Sequence, residues 1–502
     1  MLKIIILCGI IILTLPRLLL FKDCIFKVAT KHERRLMGEF VGRHAELNTL
    51  EKEYARESSS LVVLYGRLRV GKTRLISEFK KRHGNSLYFL ATEESEAQNL
   101  KAFKELVADF TGNVLLKTAD ADWALVFKLL ASHKTETKKI IVMDEFQYIG
   151  HRNPSFPSEM QKIWDTVLQD ANVMLILSGS IVSMMRAQIL DYDSPLYGRK
   201  TSRIKLKQIE FKHFGEFFNG EKPSMELLPY YAITGGVPKY IEIFKPYANI
   251  YEAIEQTVLS HDSFLCEEPF FLLQREVSEI GTYFSLIKAI ASGNSRLSDI
   301  AEVADMQATS LTKYLKVLTD LNLVKREVPA TEDNPESSKS GQYSITDNYL
   351  TFWFRFIYPY RANLEQGETA LVLERIKTDF MKSYVPLVYE QVCHETMWEL
   401  SRQEKFKFLF NKLGSHWGKK IEDTGIVAVD SIGKNIIVGC CEYATEPKGL
   451  SVLRELESKV DALKELTGSK GAQFVIFSPS GFTQELIEEA MESQDVVLVE
   501  GF

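Results

Sequence analysis

Residues 66–73, GRLRVGKT, decide the fold predicted for this 502-residue chain. They match the pattern G-x-x-x-x-G-K-[ST] and lie between the apolar run Leu61–Leu64 and an amphipathic pattern that begins at Lys72. In a strand–loop–helix of this kind, glycines let backbone N–H groups surround phosphate oxygens, and the helix N-terminus contributes its positive dipole end. The sequence therefore predicts a phosphate-binding loop. Its eight residues are Gly66, Arg67, Leu68, Arg69, Val70, Gly71, Lys72 and Thr73.

Two side chains of this loop are expected to act on the ligand directly. Lys72 should reach the β- and γ-phosphates of a nucleoside triphosphate, and the Thr73 hydroxyl should hold Mg²⁺. The cofactors predicted from the loop are therefore ATP and Mg²⁺.

A pair of carboxylates follows a second apolar run. Residues Ile140–Met143 lead directly into Asp144 and Glu145. In a phosphate-loop enzyme, an aspartate at a strand tip completes the Mg²⁺ shell and an adjacent glutamate polarises the attacking water. Acidic residues at strand ends are also common as solvated caps. Their combination with the Lys72 loop favours Asp144 as a metal residue and Glu145 as the catalytic base.

Two further residues are candidates with open alternatives. Ser178 follows the predicted strand Val173–Leu177, where a polar side chain could orient water or contact the γ-phosphate; a serine-rich turn is the less favoured alternative. Arg199, in the sequence PLYGR, is a candidate for the arginine that stabilises charge in the transition state. A solvated surface arginine is the alternative for Arg199.

Strand-like and helix-like segments alternate from Glu39 to about Lys205. Such alternation predicts an α/β fold with a parallel sheet that is covered by helices on both faces. Short helical patterns follow, and the last part of the chain again contains strands and helices. We find no internal repeat in the sequence.

The composition excludes several classes of protein. With 45% hydrophobic and 25% charged residues, the chain is neither disordered, collagen-like nor a coiled coil. Its 61 basic and 67 acidic residues exclude a generally polybasic nucleic-acid coat, although not a local basic face. The six cysteines are scattered and form no CxxC pair, which excludes a disulfide scaffold and a zinc ribbon. A reducing, cytoplasmic setting is therefore expected.

Residues 1–36 differ from the rest of the chain. Their uncharged run, Ile4–Leu15, is shorter than the roughly 20 apolar residues that span a bilayer, and Arg17 interrupts its extension. No A-x-A-like cleavage site follows it. Met37 immediately precedes GEFVGRHAEL, where folded sequence begins. We therefore expect residues 1–36 to be a start-site artefact or a dispensable extension rather than a membrane anchor.

Six motifs together support a family resemblance. They are FVGR (40–43), GRLRVGKT (66–73), MDEFQYI (143–149), LSGS (177–180), PLYGR (195–199) and TGGVPKY (234–240). In this order they resemble the prokaryotic archaeal-type ATPase family, which comprises P-loop NTPases near the AAA+ and STAND groups. The resemblance implies that Val41 and Gly42 lie near the adenine. It also implies that Gly236 and Pro238 belong to a helical lid that senses nucleotide.

The family architecture implies a domain organisation for the whole chain. It places a winged helix after the lid, followed by a domain related to PD-(D/E)xK nucleases. The implied divisions are an apolar extension (1–36), an ATPase core (37–205), a helical lid (206–280), a winged helix (281–360) and a degenerate nuclease-like domain (361–502).

The predicted winged helix has few of the residues that contact DNA. Its helices are expected at Leu297–Ala304 and Ala308–Asp320, and its wing strand at Tyr343–Ile345. The second helix carries only Lys313 and Lys316 as basic residues, whereas groove-reading helices normally show a denser basic stripe. DNA binding is left open, and a role in packing or in docking a protein partner is favoured.

The predicted nuclease-like domain departs from its family's pattern. Such nucleases hold Mg²⁺ with two carboxylates and use a lysine to assist the attacking water. By the resemblance, the metal aspartate falls on Gly425, the second carboxylate on Cys440 and the lysine on Glu442. All three roles are lost together, which predicts a retained fold without nuclease chemistry.

The sequence therefore predicts a P-loop parallel sheet with a helical lid, a winged helix and a C-terminal restriction-endonuclease-like α/β domain. The predicted function is Mg²⁺-dependent ATP hydrolysis that works as a switch or regulator of a macromolecular partner, expected to be a protein. One alternative is a DNA-binding ATPase that positions a C-terminal nuclease. Another is a nucleotide-binding switch that hardly hydrolyses. Oligomer formation is left open.

Overall fold

The computed structural model describes residues 40–218, 220, 225–260, 262–418, 421 and 423–501. It separates into a short N-terminal unit, residues 1–42, and a second unit that runs from Arg43 onward. The expectations for residues 1–36 fall outside the described residues. Across the described part of the chain, every helix is too short or too polar to cross a membrane.

The first sheet of the second unit is parallel throughout. Its strands are β1 (Ser60–Tyr65), β2 (Ser86–Leu90), β3 (Lys139–Asp144), β4 (Val173–Gly179) and β5 (Ser202–Lys205). They are arranged in the spatial order β2-β3-β4-β1-β5, with every neighbouring pair parallel. Every residue of β1, β3 and β4 is buried, as expected for central parallel strands that are covered on both faces. The predicted α/β class is confirmed.

Helices connect these strands and cover the sheet. They are α1 (His44–Tyr54), α2 (Lys72–Lys81), α3 (Glu96–Thr111), α4 (Trp123–Ser132), α5 (Gln147–Arg152), α6 (Phe156–Ile163) and α7 (Val182–Met185). One π-helical turn continues α6 through Trp164–Leu168, and another continues α7 through Arg186–Leu190. Side-chain caps start two of them: Ser95 accepts from the Gln98 amide and Asp122 from the Leu125 amide.

A helical region follows the first sheet. Its helices are α8 (Leu228–Thr234), α9 (Pro238–Phe244), α10 (Ile250–Thr257) and α11 (Glu268–Glu276). Gly235 and Gly236 separate α8 from α9, both with positive φ. A Cβ at Gly236 would lie 2.0 Å from the Ile209 carbonyl oxygen, so this turn requires glycine.

Three helices and a two-stranded antiparallel ribbon come next. They are α12 (Ile280–Ala291), α13 (Leu297–Val303), α14 (Ala308–Asp320), β6 (Val324–Glu327) and β7 (Gln342–Ile345). Leu311, Leu315 and Leu318 form the buried stripe of α14. The aromatic stretch that follows is also buried; it covers α15 (Asn348–Phe352) and a π-helical turn, Trp353–Ile357.

The chain ends in a second five-stranded sheet with flanking helices. The helices are α16 (Arg361–Glu365), α17 (Thr369–Asp379), which a π-helical turn at Phe380–Tyr384 follows, α18 (Val385–Arg402), α19 (Leu450–Thr467) and α20 (Gln484–Ser493). The strands are β8 (Lys412–His416), β9 (Thr424–Asp430), β10 (Asn435–Cys441), β11 (Gly471–Ser478) and β12 (Val496–Glu500). The order is β12-β11-β10-β9-β8; the β10–β11 and β11–β12 pairs are parallel and the other two antiparallel.

Candidate active site

The predicted phosphate loop joins β1 to α2 at the carboxyl edge of the first sheet. Its backbone has positive φ at Arg69 (68°) and Gly71 (97°), so successive N–H groups turn inward as an anion-binding nest requires. A Cβ at Gly66 would lie 2.3 Å from the Leu206 carbonyl oxygen, so only glycine fits there. Val70 is fully buried and Leu68 packs against the main core, which leaves the backbone to face a ligand.

Lys72, the first residue of α2, is buried beneath this loop. Its Nζ donates to the carbonyl oxygens of Gly66 at 2.8 Å and Arg67 at 3.0 Å. Burial lowers the pKa of Lys72 to about 8, and the nearby Glu145 and Asp144 carboxylates offset part of that effect. The ammonium therefore lies at the loop with two carboxylates beside it.

Asp144 ends β3 and lies directly opposite the Thr73 side chain. The Thr73 hydroxyl donates to Asp144 Oδ2 at 3.2 Å, and the Tyr88 hydroxyl donates to the same oxygen at 2.6 Å. Burial, followed by this hydrogen bond, raises the pKa of Tyr88. Tyr88 lies on β2, and the sequence did not predict it as a site residue. Its hydrogen bond to Asp144 depends on the pairing of β2 with β3, which no local pattern reveals.

The pair of oxygen donors on Thr73 and Asp144 suits Mg²⁺, which binds few protein ligands and takes the rest from water and phosphate. Among the residues that the structure describes, no cluster of three or more His, Cys, Asp or Glu could hold a metal ion. Thr73 and Asp144 are therefore the residues that would hold Mg²⁺ here, with water and phosphate as its other ligands.

Glu145 follows Asp144 with a φ of 54°, an uncommon backbone conformation for a residue with a side chain. Its Oε2 accepts from the Ser180 amide at 3.2 Å, the Ser180 hydroxyl at 2.6 Å and Gln147 Nε2 at 2.5 Å. The carboxylate is thereby held at the carboxyl edge of β4. Ser180 and Gln147 were not predicted, although both lie inside motifs that the sequence analysis quoted.

Ser178 takes a different position from Ser180. It is fully buried near the end of β4, and its carbonyl oxygen accepts from the Phe146 amide at 2.9 Å. β4 lies between β1 and β3, so Ser178 is on the strand beside that of Asp144. The serine that contacts Glu145 is Ser180, two residues further along.

Arg199 lies near the opposite edge of the sheet from the phosphate loop. The Thr201 amide donates to the Leu61 carbonyl oxygen near the start of β1, whereas the loop begins at Gly66, roughly 16 Å further along an extended strand. The Arg199 guanidinium pairs with Asp165 at 3.2 Å. The structure therefore does not bring Arg199 together with Lys72 and the carboxylates. Val41 and Gly42 belong to the N-terminal unit.

Three positions stand where the resemblance places the metal-binding carboxylates and the lysine of a nuclease, and all three lie at one cavity of the second sheet. Gly425 on β9, Cys440 on β10 and Glu442 just after β10 line a cavity of about 230 Å³ together with Glu390. The Glu442 carboxylate pairs with Lys448 at 2.8 Å. Burial raises the pKa of Glu390 and of the Cys440 thiol, which disfavours the charged forms that bind metal ions.

Two known protein families match separate parts of the chain. The family described as "ATPase domain predominantly from Archaea" matches residues 40–244, and "Archaea bacterial proteins of unknown function" matches residues 353–456. The protein MJECL04 of Methanocaldococcus jannaschii is 35% identical over 398 residues, which cover 79% of this chain and 86% of that protein. The ATP-binding protein MJ0423 of the same organism is 50% identical over 40 residues, covering 8% of this chain and 68% of that protein.

A solved structure has a similar fold. The Walker-type ATPase PABY2304 of Pyrococcus abyssi aligns with a TM-score of 0.50 at 22% identity, covering 63% of this chain and 96% of that one. Three observations indicate the same family. They are the parallel sheet with its phosphate loop, the family match over residues 40–244 and the similarity to MJECL04 over 398 residues. The chain belongs to the archaeal P-loop ATPase family.

Proposed function

We propose that the protein hydrolyses ATP with Mg²⁺ and uses its nucleotide state to regulate a macromolecular partner. One observation carries this proposal: Lys72, Asp144 and Glu145 come from different elements but meet at one carboxyl edge of the parallel sheet. A cation for the phosphates, an oxygen ligand for Mg²⁺ and a carboxylate for water are the groups that phosphoryl transfer to water needs.

Each residue has a distinct task in this proposal. The loop N–H groups and the Lys72 ammonium bind the β- and γ-phosphates. Thr73 and Asp144 hold Mg²⁺, which would neutralise charge on the phosphate oxygens when bound. Glu145 accepts a hydrogen bond from the attacking water, and Ser180 with Gln147 fixes the direction of its carboxylate.

A second set of contacts links this site to the helical region. Glu276, the last residue of α11, accepts from the amides of Val182 and Ser183 at 2.9 and 3.0 Å, and from the Ser183 hydroxyl at 2.9 Å. These residues follow Ser180, which holds Glu145. A shift of Glu145 on nucleotide binding would therefore change the position of α11 through these hydrogen bonds. This coupling supports a switch rather than hydrolysis alone.

We also propose the domain divisions that the sequence predicts: 37–205, 206–280, 281–360 and 361–502. The three helices and ribbon of residues 280–345 support a winged helix. The segment between β6 and β7 contacts β8, since the Ala330 amide donates to Ser415 O at 2.9 Å and Trp417 Nε1 donates to Ser340 O at 2.9 Å. A wing in contact with the C-terminal sheet favours docking and packing over DNA binding.

The proposal is tested by ATP turnover of the full chain with and without duplex DNA, combined with limited proteolysis. We expect Mg²⁺-dependent turnover that DNA leaves unchanged. In the Glu145→Gln variant, we expect ATP to change the rate of proteolysis between residues 206 and 360. Lys72→Ala is the matched control, because it should give one proteolysis pattern with or without ATP. ATP turnover that DNA stimulates, together with Mg²⁺-dependent cleavage of the DNA, would favour the nuclease alternative. Binding of ATP without turnover would favour the non-hydrolysing switch.

A further inference from the structure

Each of the two arginines inside the phosphate loop forms an ion pair with a buried carboxylate from outside the loop. Arg69 Nη1 lies 2.5 Å from Glu268 Oε2, and its guanidinium lies 3.9 Å from the centre of the Phe264 ring. Glu268 begins α11, and its side chain is 1% exposed. This pair therefore joins the phosphate loop to the helical region.

The second arginine makes an equivalent connection to a different segment. Arg67 pairs with Asp347, which is also 1% exposed and caps α15 by accepting from the Leu350 amide at 2.8 Å. Arg67 Nη2 donates to the Tyr240 hydroxyl at 3.2 Å, and that hydroxyl donates to Glu268 Oε1 at 2.7 Å. The two ion pairs thus form one network.

A network of this kind is sensitive to the loss of either partner. A buried charge without its partner is strongly unfavourable, so removing one carboxylate affects the arginine that it held. Glu268 and Asp347 both lie outside the parallel sheet and outside the G-x-x-x-x-G-K-T motif. The shape of the loop is therefore tied to segments more than 190 residues away in sequence.

Arg69 has a backbone conformation that needs such support. Its φ of 68° belongs to the left-handed region, where a side chain with a Cβ is disfavoured relative to glycine. The phosphate-binding nest uses this conformation, because it turns the next N–H group inward. An anchored side chain at Arg69 can offset this cost.

We propose that Glu268 and Asp347 are positioning residues for the phosphate loop, which anchor Arg69 and Arg67 and so hold Arg69 in the left-handed conformation that binds phosphate. This inference rests on the proposed nucleotide site. It makes nucleotide affinity a property of the helical region as well as of the ATPase sheet. By linkage, nucleotide binding would stabilise the contacts of α11 and α15 with the loop to the same extent.

The test compares two substitutions at Arg69 in the full chain, with Mg-ATP affinity measured by calorimetry. Both Arg69→Ala and Arg69→Gly remove the anchor, but glycine accepts the left-handed conformation without it. We expect Arg69→Ala to bind Mg-ATP about tenfold more weakly than Arg69→Gly. Glu268→Gln should weaken binding by about tenfold in the wild-type background and by less than twofold in the Arg69→Gly background. The exposed neighbour supplies the matched control, Glu267→Gln, which should bind like the wild type.

The outcomes separate this inference from the proposed function. Equal affinities of the alanine and glycine variants, or an equal effect of Glu268→Gln in both backgrounds, would overturn the positioning role while the wild type still binds. If the wild type fails to bind Mg-ATP, the proposed function and this inference fall together. Thermal unfolding shows whether Glu268→Gln folds; if it does not, the comparison at Arg69 decides alone.

Discussion

The two five-stranded sheets of this chain carry different chemistry at their strand ends. At the carboxyl edge of the first sheet, the Lys72 ammonium lies beside Asp144 and Glu145, and hydroxyl groups hold both carboxylates. At the cavity of the second sheet, glycine and cysteine occupy two of the predicted metal positions, and burial raises the pKa of the neighbouring Glu390. Both regions contain carboxylates, but in the first they lie beside a lysine that the phosphate loop holds, and they accept hydrogen bonds from hydroxyl groups.

The number of carboxylates alone therefore does not define a site that binds phosphate. A phosphate group needs a cation, and Mg²⁺ needs ionised oxygen ligands that are already oriented. In the second sheet, the nearby lysine Lys448 is paired with Glu442 at 2.8 Å. The comparison therefore predicts large effects of substitutions at the first edge and no metal chemistry at the second.

The largest effect is expected for Lys72→Ala. Because Lys72 is the ammonium at the loop, its loss should weaken ATP binding at least thirtyfold, equivalent to about 2 kcal/mol or more. Equilibrium binding of Mg-ATP measures this change. The control is Lys81→Ala on the same helix, whose side chain is half exposed and pairs with Glu78. If Lys72→Ala bound ATP as well as Lys81→Ala does, the contrast between the two sheets would lose its basis.

The second sheet offers the converse experiment. The unmodified full chain should not cleave DNA with Mg²⁺ or Mn²⁺, since the predicted metal positions supply no carboxylate. We expect Gly425→Asp, Cys440→Glu and Glu442→Lys together to restore Mg²⁺ binding, whereas any one change alone should not. A side chain at position 425 has room, since its Cβ would lie 3.7 Å from Glu390 Oε1.

Calorimetric titration with Mg²⁺ and a plasmid-nicking assay measure the two parts of that prediction. Asp423 lines the same cavity as Gly425 and Cys440. Metal-dependent nicking by the unmodified chain, abolished by Asp423→Asn, would mean that a rearranged site exists in the second sheet. The two regions would then differ in ligand arrangement rather than in the presence of chemistry.

The sequence predicts the central strands of both sheets but misses three of the four edge strands that the structure describes. The buried strands β1, β3 and β4 appear as apolar runs, and the predicted positions agree with the structure to within a few residues. The strands β5, β8 and β12 were missed. All three lie at sheet edges and are partly exposed. Polar residues interrupt the apolar pattern in β5 and β8, whereas β12 is an apolar run over residues 496–499 that the sequence analysis did not assign.

The candidate site shows the same limit. Lys72, Asp144 and Glu145 belong to local patterns that name their chemistry, and the structure brings them together as expected. The contacts of Tyr88 and Ser180 with these carboxylates depend on which strands are neighbours, and no local pattern contains that information. Arg199 was proposed as a site residue from its motif alone. Because β5 runs parallel to β1, Arg199 at its start lies near the amino edge of the sheet, away from the phosphate loop.

The smallest effect is expected for Arg199→Ala. Its partly exposed pair with Asp165 contributes about 0–1 kcal/mol to stability, and it lies far from the phosphate loop of its own chain. Turnover of dilute protein should change by less than about twofold, and Asp165→Asn should behave alike. A much larger loss in Arg199→Ala alone would indicate that this arginine reaches the nucleotide of another chain.

The most direct test of the central claim separates binding from hydrolysis at Glu145. Mg-ATP affinity and single-turnover hydrolysis should be measured on the same preparations of the wild type and Glu145→Gln. We predict affinities that agree within about threefold and a hydrolysis rate that falls at least about a hundredfold, because the amide keeps the shape of the carboxylate but not its basicity. Unchanged hydrolysis in Glu145→Gln would contradict the account and leave the carboxyl edge of the first sheet without its proposed base.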